Sequence, residues 1–291
     1  MKNKKGVLIL LILLLIITVF VVVFIFKGKT RKNVDIYNDI KLEEKNNKEN
    51  DKMLNIVQEE VVPKEIKASV PIFMYHFILD DYGNYPDKEN FLKVETLEEQ
   101  LKYISENNYQ TIFVNELDKL YNYTKPVALT FDDCFVYFYN NAFPLFRKYK
   151  QKATLNIIYN YINGENYLTE AQIKEMIDSG FISIESHTLT HADLVMSNAD
   201  KRRSEILSSK EKIENKFAIN LTTMCYPYGK YNQDIINITK EKYKYGLAMS
   251  GGMYYSNKHD LYNIPRIYAN RSMPLTTYIS YLKKSDVSIK W

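Results

Sequence analysis

Two histidines four positions apart, His187 and His191, are the first residues of this sequence whose types and spacing suit metal binding. They follow residues 181–185, a short apolar stretch that predicts a strand. A helical turn would aim both imidazoles at one point, and imidazole is a good ligand for Zn²⁺ and related divalent ions. The alternative is a pair of unrelated loop histidines, which the spacing alone does not exclude.

Two adjacent carboxylates, Asp132 and Asp133, follow a second apolar stretch at residues 127–131. Neighbouring acids repel each other unless a cation or a shared proton relieves the repulsion. The alternative is a solvated loop or a helix N-cap, where Asp is favoured. Beside two candidate histidine ligands, the pair predicts a division of labour, in which one Asp binds the metal and the other acts as a general base.

An alternation of strand-like and helix-like segments would position these residues. Apolar runs predict strands and 3.6-residue periodicity predicts helices. The predicted strands are residues 70–75, 109–114, 127–131, 153–158, 181–185 and 221–226, and the predicted helices include residues 136–149, 200–216 and 232–243. Repeated βα units imply a parallel sheet, open or closed as a barrel. His76, Asp132, His187 and Pro227 each follow a predicted strand, so we expect them at one rim of the sheet.

The N-terminal segment predicts a membrane anchor. Residues 6–26 carry no charge and are long enough to span a hydrocarbon core of ~30 Å. A cleaved signal peptide is the alternative, but the apolar run exceeds the usual ~7–15 residues and no small-residue cleavage site follows. We therefore predict a basic head at 1–5, a single-pass signal anchor at 6–26, a polar linker at 27–68 and an extracytoplasmic domain at 69–291 on the cell membrane.

Charge and cysteine content exclude two classes of protein. Residues 1–68 hold 13 Lys and Arg against 9 Asp and Glu, which leaves 26 of each among the totals of 39 and 35 for residues 69–291. The predicted domain therefore has no net formal charge, and nothing supports nucleic-acid binding. Two cysteines do not form a disulfide scaffold in a chain of 291 residues. The sequence does not indicate an oligomeric state.

Five short strings together resemble a known family. LTFDDC, SHTLTH and YPYGKY are similar to the signature motifs of the polysaccharide deacetylases, the NodB-homology domain of carbohydrate esterase family four. FMYH and IPRI resemble the branch that contains poly-N-acetylglucosamine deacetylases, and the likeness covers roughly residues 70–270. The resemblance implies an α/β fold, a distorted (β/α) barrel. By matching position, it makes Asp132 the base and Asp133, His187 and His191 the metal ligands.

The resemblance also implies a reaction. A divalent metal, Zn²⁺ or alternatively Co²⁺, Ni²⁺ or Mn²⁺, would assist hydrolysis of acetyl groups on an N-acetylated cell-surface polysaccharide. Two alternatives remain open from the residues. One is an esterase that removes O-acetyl groups from xylan-like sugars, and the other is a glycan-binding domain that keeps the fold without turnover.

Three further residues are candidates for the general acid, the hydrogen-bond donor to the oxyanion and the positive charge that orients the base Asp. His76 is the predicted acid, because two histidines are assigned to the metal and His259 lies in a polar stretch; a structural histidine is the alternative. Pro227 has no N–H, so the backbone of Tyr228 is the first oxyanion donor after it. Arg266, in IPRI, could supply the positive charge that this family often carries at the position of Cys225; a surface arginine is the alternative.

The two cysteines replace family residues at the predicted rim. Cys134 stands where the family pattern has Gly, and Cys225 where it often has Arg. We hypothesise a Cys134–Cys225 disulfide, which an extracytoplasmic setting would favour. Two independent buried thiols are an equal alternative, and Cys134 as an additional metal ligand ranks lower.

Overall fold

The computed structural model describes residues 65–81, 83 and 88–290. The predicted anchor at residues 6–26 lies outside this part of the chain, as do the head and most of the predicted linker. Within the described residues, no helix is both long and apolar enough to cross a membrane. The first strand of the described residues, β1, occupies Glu65–Val70 and includes the last four residues of the predicted linker.

The remaining strands are mostly short. They are β2 (Ile72–Tyr75), β3 (Phe77–Ile78), β4 (Phe91–Leu92), β5 (Gln110–Ile112), β6 (Pro126–Asp132), β7 (Ala153–Ile157), β8 (Ile182–Ser186), β9 (Thr223–Cys225), β10 (Tyr245–Leu247), β11 (Tyr254–Tyr255), β12 (Ile267–Tyr268) and β13 (Asp286–Lys290).

The helices alternate with the central strands. They are α1 (Val94–Glu106), α2 (Phe143–Tyr149), α3 (Glu170–Asp178), α4 (Ala199–Arg203), α5 (Ser209–Phe217), α6 (Gln233–Lys240) and α7 (Leu275–Leu282). Two π turns, Phe138–Ala142 and Ser204–Ser208, directly precede α2 and α5, and 3₁₀ turns occupy Val114–Asn122, Tyr159–Tyr161 and Pro227–Gly229.

Local sequence explains where several helices begin. A capping box begins α3: Thr169 Oγ1 accepts from the Gln172 amide at 3.2 Å, and Gln172 Oε1 accepts from the Thr169 amide at 2.9 Å. Asn198 and Asn232 cap α4 and α6 in the same way, each side chain accepting from the amide three residues on.

The main sheet is parallel and has the order β10-β9-β8-β7-β6-β2-β12, with β5 also paired to β6. Residues 264–268 connect its two edges, because Ile264 forms a parallel bridge with Leu247 of β10 while Ile267 and Tyr268 pair with β2. This curled parallel sheet fits the distorted barrel that the resemblance implies. β1 pairs with β11 and β13 in a separate antiparallel sheet.

Alternation along the strands divides the buried side chains into two clusters. On β6, Val127, Leu129 and Phe131 pack with residues of the surrounding helices, whereas Ala128 belongs to a second cluster on the other face of the sheet. Because side chains alternate along a strand, Thr130 and Asp132 lie on the same face as Ala128. The fold therefore directs the first aspartate of the pair into the interior enclosed by the sheet.

Candidate active site

The carboxyl ends of β6 and β8 bring Asp133, His187 and His191 together, as the sequence predicts. One ligand atom from each of the three side chains lies within 4.8 Å of the others. The Asp133 Oδ1 is 3.5 Å from both the His187 Nε2 and the His191 Nε2. We refer to these three residues as the Asp-His-His triad.

The donor atoms of the triad suit a divalent cation. Burial lowers the pKa of His187, but its contacts with Cys225 and Asp133 outweigh burial and raise this pKa well above its usual value, so a bound cation would displace a proton from the imidazole. The Nδ1 of His187 lies 2.8 Å from the Cys225 carbonyl oxygen, and a proton donated there leaves a lone pair on the Nε2. Burial lowers the pKa of His191 to about 4, so this imidazole is neutral near pH 7. The buried Asp133 Oδ1 has no hydrogen-bond partner among the described residues. Two imidazole nitrogens and an otherwise unpaired carboxylate oxygen form a donor set that fits Zn²⁺.

The backbone at these ligands is left-handed rather than helical. Asp133 and Cys134 have φ of 75° and 59°, and Thr188 and His191 have φ of 69° and 58°. The histidines therefore converge through a bent loop, and the helical turn considered from their spacing is absent there. The Thr188 hydroxyl accepts from the His191 amide at 3.0 Å, which helps to hold the bend. Non-glycine residues rarely adopt this conformation, and such strain concentrates at functional sites.

Arg266 forms a buried ion pair with Asp132 on both carboxylate oxygens. Its NH1 and NH2 groups donate to Oδ1 and Oδ2, each at 2.9 Å, and its Nε donates to the Ala248 carbonyl at 3.0 Å. The Asn156 amide donates to the Asp132 Oδ1 at 2.7 Å. Burial raises the pKa of Asp132, but the Arg266 and His187 charges outweigh it and hold the pKa well below its usual range. The structure thus places Arg266 against the carboxylate rather than on the surface.

His76 follows β2 and faces the same group of charges. Its Nδ1 is buried and has no hydrogen-bond partner among the described residues, so it is not bonded to a neighbouring loop there. Its ring packs edge-on against Tyr268, with centroids 5.8 Å apart. Burial lowers the pKa of His76, while the Asp132 and Asp133 charges raise it in part. His259 has a different role, since its Nδ1 accepts from the Tyr255 amide at 2.9 Å.

Tyr228 lies in the 3₁₀ turn that follows β9, with φ of 59°. The residue is 55% exposed, and its ring packs against the His191 ring, with centroids 4.6 Å apart. The next two amides of the turn, at Gly229 and Lys230, donate to the Tyr226 and Pro227 carbonyls. A Cβ at Gly229 would lie 2.4 Å from the Met249 side chain and 2.8 Å from the Met249 backbone nitrogen, so only glycine fits this turn.

The hypothesised Cys134–Cys225 disulfide is wrong in this structure, because both residues are free, buried thiols. Their side chains belong to different clusters of the core. The Cys134 Sγ is 3.9 Å from the Ile158 carbonyl oxygen, and the Cys225 Sγ is 3.2 Å from Arg266 NH2 and 3.6 Å from the Asp132 Oδ2. The alternative of two independent thiols describes the structure.

A second cluster of potential ligands, Asp132, His187 and Cys225, also lies within 4.8 Å. It suits a metal less well than the Asp-His-His triad. Both Asp132 oxygens accept from Arg266, and that cation would repel a metal ion. The Asp-His-His triad is therefore the better candidate metal site. Asn156 belongs to none of the motifs; its position on the strand beside β6, facing Asp132, becomes evident only from the strand order.

Comparisons with known proteins agree with the motifs. The family profile described as polysaccharide deacetylase matches residues 121–246, which include the triad and Asp132. A Bacillus subtilis (strain 168) protein named "Putative polysaccharide deacetylase YxkH" is 31% identical over 228 residues, 76% of this chain and 79% of that protein.

A poly-beta-1,6-N-acetyl-D-glucosamine N-deacetylase of Staphylococcus aureus (strain MRSA252) is 29% identical over 215 residues, 67% of this chain and 73% of that protein. The crystal structure of a polysaccharide deacetylase from Bacillus cereus superposes with a TM-score of 0.70 at 28% identity, covering 74% of this chain and 69% of that chain. The chain therefore belongs to the polysaccharide deacetylase family and is a hydrolase of that family.

Proposed function

We propose that the protein removes N-acetyl groups from an N-acetylglucosamine-containing polysaccharide, with water as the second substrate and acetate and a free amine as products. The observation that carries this proposal is the Asp-His-His triad beside a separate carboxylate, Asp132, that Arg266 keeps ionised. The Staphylococcus aureus relative, named for N-deacetylation of poly-beta-1,6-N-acetyl-D-glucosamine, supports the N-acetyl substrate class.

Asp133, His187 and His191 would hold the metal, and Zn²⁺ is the proposed ion because two imidazoles and one carboxylate form a common open zinc site. The same donors also accept Co²⁺, Ni²⁺ and Mn²⁺. When bound, such an ion lowers the pKa of water and polarises the acetyl carbonyl.

Asp132 acts as the general base. Its low pKa keeps it ionised at neutral pH, and the guanidinium of Arg266 fixes the plane of its carboxylate. Each carboxylate oxygen has further lone-pair capacity, so Asp132 can take a proton from the attacking water while it remains paired with Arg266.

The Tyr228 backbone and His76 complete the reaction. The Tyr228 N–H stabilises the oxyanion, because Pro227 offers no donor and the next two amides of the turn are already hydrogen-bonded. His76, buried beside the carboxylates, gives a proton to the departing amine nitrogen. Breaking the C–N bond then yields acetate and the free amino sugar, and the glycosidic chain stays intact.

The cellular setting follows from the sequence prediction alone. We propose that residues 6–26 anchor the chain in the cell membrane and that the deacetylase domain acts outside the cytoplasm on the envelope polysaccharide of the same cell. This arrangement favours an endogenous glycan over foreign xylan.

Acetate release by the full-length chain from N-acetylglucosamine oligomers tests the function. We expect release that Zn²⁺ supports and a chelator abolishes, and release that Asp132→Asn slows about 10²–10⁴-fold. An O-acetylated xylan assayed in parallel separates the two substrate classes. Release from xylan alone would replace the proposal with the esterase, and a metal-loaded chain that releases acetate from neither substrate would favour the glycan-binding domain.

A further inference from the structure

One helical segment contacts the histidine loop at three points. The segment runs from α4 through the π turn Ser204–Ser208 into α5, and the loop comprises residues 186–197. The contacts are made by Arg202, Glu205 and Ser209. Glu205 and Ser209 follow Arg202 by three and seven residues, a spacing that places all three on one face of the segment. Glu205 is the central contact.

The Glu205 carboxylate binds the residues between the two histidines of the triad. It is 3% exposed. Its Oε2 accepts from the amides of Leu189 and Thr190 at 3.0 and 2.9 Å, and its Oε1 accepts from the Thr190 hydroxyl at 2.5 Å. Hydrogen bonds to a charged acceptor are stronger than neutral ones, so this contact is firmer than the hydroxyl–hydroxyl contact of Ser209.

The flanking contacts fix the two ends of the loop. Arg202 donates from Nε to the Leu194 carbonyl and from NH2 to the Ser197 carbonyl, both at 2.9 Å. At the other end, the Ser209 hydroxyl lies 2.8 Å from the hydroxyl of Ser186, the residue before His187. The loop is thus anchored before, between and after its metal-binding histidines.

The conformation of the loop explains why it needs this support. Thr188 and His191 are left-handed, and a strained backbone persists only where its surroundings hold it. The π turn places Glu205 opposite the strained span, and π turns occur often at functional sites. The carboxylate also adds negative charge near a site for a cation.

We propose that Glu205 is a positioning residue that fixes His191 relative to His187 and thereby sets the affinity of the Asp-His-His triad for its divalent ion. The inference rests on the metal site of the proposed function. It assigns to Glu205 a role that neither the motifs nor the spacing of the histidines indicates.

The test is the dissociation constant of Zn²⁺ from the full-length chain, measured by competition with a chromophoric chelator. Glu205→Gln keeps the size of the side chain but removes its charge and one acceptor. We expect its Zn²⁺ affinity to fall about 10-fold or more, the range seen for partners that orient metal ligands. The Co²⁺-loaded variant should also show an altered d–d absorption spectrum.

Glu214→Gln is the matched control. Glu214 lies on α5 and its carboxylate also accepts from a loop amide, that of Leu221 at 2.8 Å, but this loop carries no residue of the triad. Its Zn²⁺ affinity should stay within about twofold of the wild type. Equal losses in both variants would show a general effect on the fold and overturn the proposal.

Thr190→Val keeps the test decisive if Glu205→Gln does not fold. This variant removes only the hydroxyl contact, so we expect a smaller loss of Zn²⁺ affinity, about twofold to fivefold. An unchanged affinity in every folded variant overturns the role of Glu205. A wild-type chain that binds Zn²⁺ but releases no acetate overturns the proposed function and leaves this inference intact, whereas a chain that binds no divalent ion overturns both.

Discussion

Two adjacent aspartates of identical chemistry sit in different environments. Asp132 is 2% exposed, ends β6 in extended backbone and is paired with Arg266 on both oxygens. The side chain of Asp133 is 18% exposed and its backbone is left-handed. Its Oδ1 lies 3.5 Å from the Nε2 atoms of two imidazoles and makes no hydrogen bond among the described residues. A single backbone bend therefore separates a carboxylate that is paired with a cation from one that faces two imidazoles.

The comparison shows that the partners of a carboxylate determine its role. Burial raises the pKa of Asp132, but the guanidinium bound to both oxygens holds this pKa well below its usual range, so the carboxylate suits the proposed base better than a metal ligand. Asp133 has no such cation and a buried oxygen to satisfy, so a metal ion compensates it well. The first prediction separates the two roles directly.

Asparagine at position 132 or 133 should cause the largest effects, and the two variants should differ in whether they keep Zn²⁺ binding. Asp132→Asn keeps the shape of the side chain but cannot take a proton, so we expect kcat to fall about 10²–10⁴-fold with Zn²⁺ affinity nearly unchanged. Asp133→Asn replaces an anionic ligand by a neutral one, so we expect loss of Zn²⁺ binding as well as activity. Acetate release and chelator competition on both variants measure this. The same phenotype in both would contradict the division of labour.

Arg266→Met removes the cation that distinguishes Asp132 from Asp133. Because it leaves a buried carboxylate unpaired, we expect a loss of about 3–5 kcal/mol in the free energy of unfolding, measured with urea at pH 7. The double variant Asp132→Leu/Arg266→Met removes both charges and should recover most of that stability. A single variant as stable as the wild type would show that the pair does not support the fold.

The same pair predicts a pH dependence of stability. The folded-state pKa of Asp132 is depressed below its unfolded value of about 3.9, so the stabilisation is present above that pH and is lost as pH falls through the lower, folded-state pKa. The metal-free wild type should therefore lose more stability between about pH 4 and pH 2 than Asp132→Leu/Arg266→Met. Parallel stability curves for the two proteins would argue against the depressed pKa.

His76→Asn tests the proposed general acid, a role that is separate from those of the two aspartates. Its proton assists the departing amine, so we expect kcat to fall about 10²-fold or more, while Zn²⁺ affinity stays near the wild-type value. His259→Asn is the control. It should leave turnover unchanged, since the His259 Nδ1 accepts from the Tyr255 backbone amide and faces none of the candidate site residues. If the two variants lose activity equally, the acid must be another group.

Much of this arrangement could be predicted from the sequence, for physical reasons that differ by element. Strands that precede the motifs, such as β2 and β6, are mainly apolar runs that are buried along their whole length, and they lie where composition places them. β10 to β13 were missed because they have two to five residues each and depend on pairing with distant partners.

The residues of the site also divide into those that the sequence could predict and those that it could not. Residue type and strand position predicted that Asp132, Asp133, His187 and His191 would lie near one another, because chemistry at a parallel sheet gathers at its carboxyl edge. Glu205 and Asn156 could not be found in this way, since each acts through a contact made only by the folded chain. The supposed disulfide failed because Cys225 faces the interior with Asp132, while Cys134 joins the cluster that packs on the helices.

Substitutions at Cys134 should give the smallest effects, and they test the backbone bend that separates Asp132 from Asp133. Together with Asp133 it forms the left-handed bend that separates the two aspartates, with φ of 59°. Cys134→Gly relieves a strain of roughly 1 kcal/mol but loses the packing of a buried thiol, so we expect a net change within about 1 kcal/mol in urea unfolding. Cys134→Val places a β-branched side chain in the same conformation and should cost more than about 2 kcal/mol. If valine is tolerated as well as glycine, the bend is not held left-handed in solution, and the separation of Asp132 from Asp133 must depend on their side-chain partners alone.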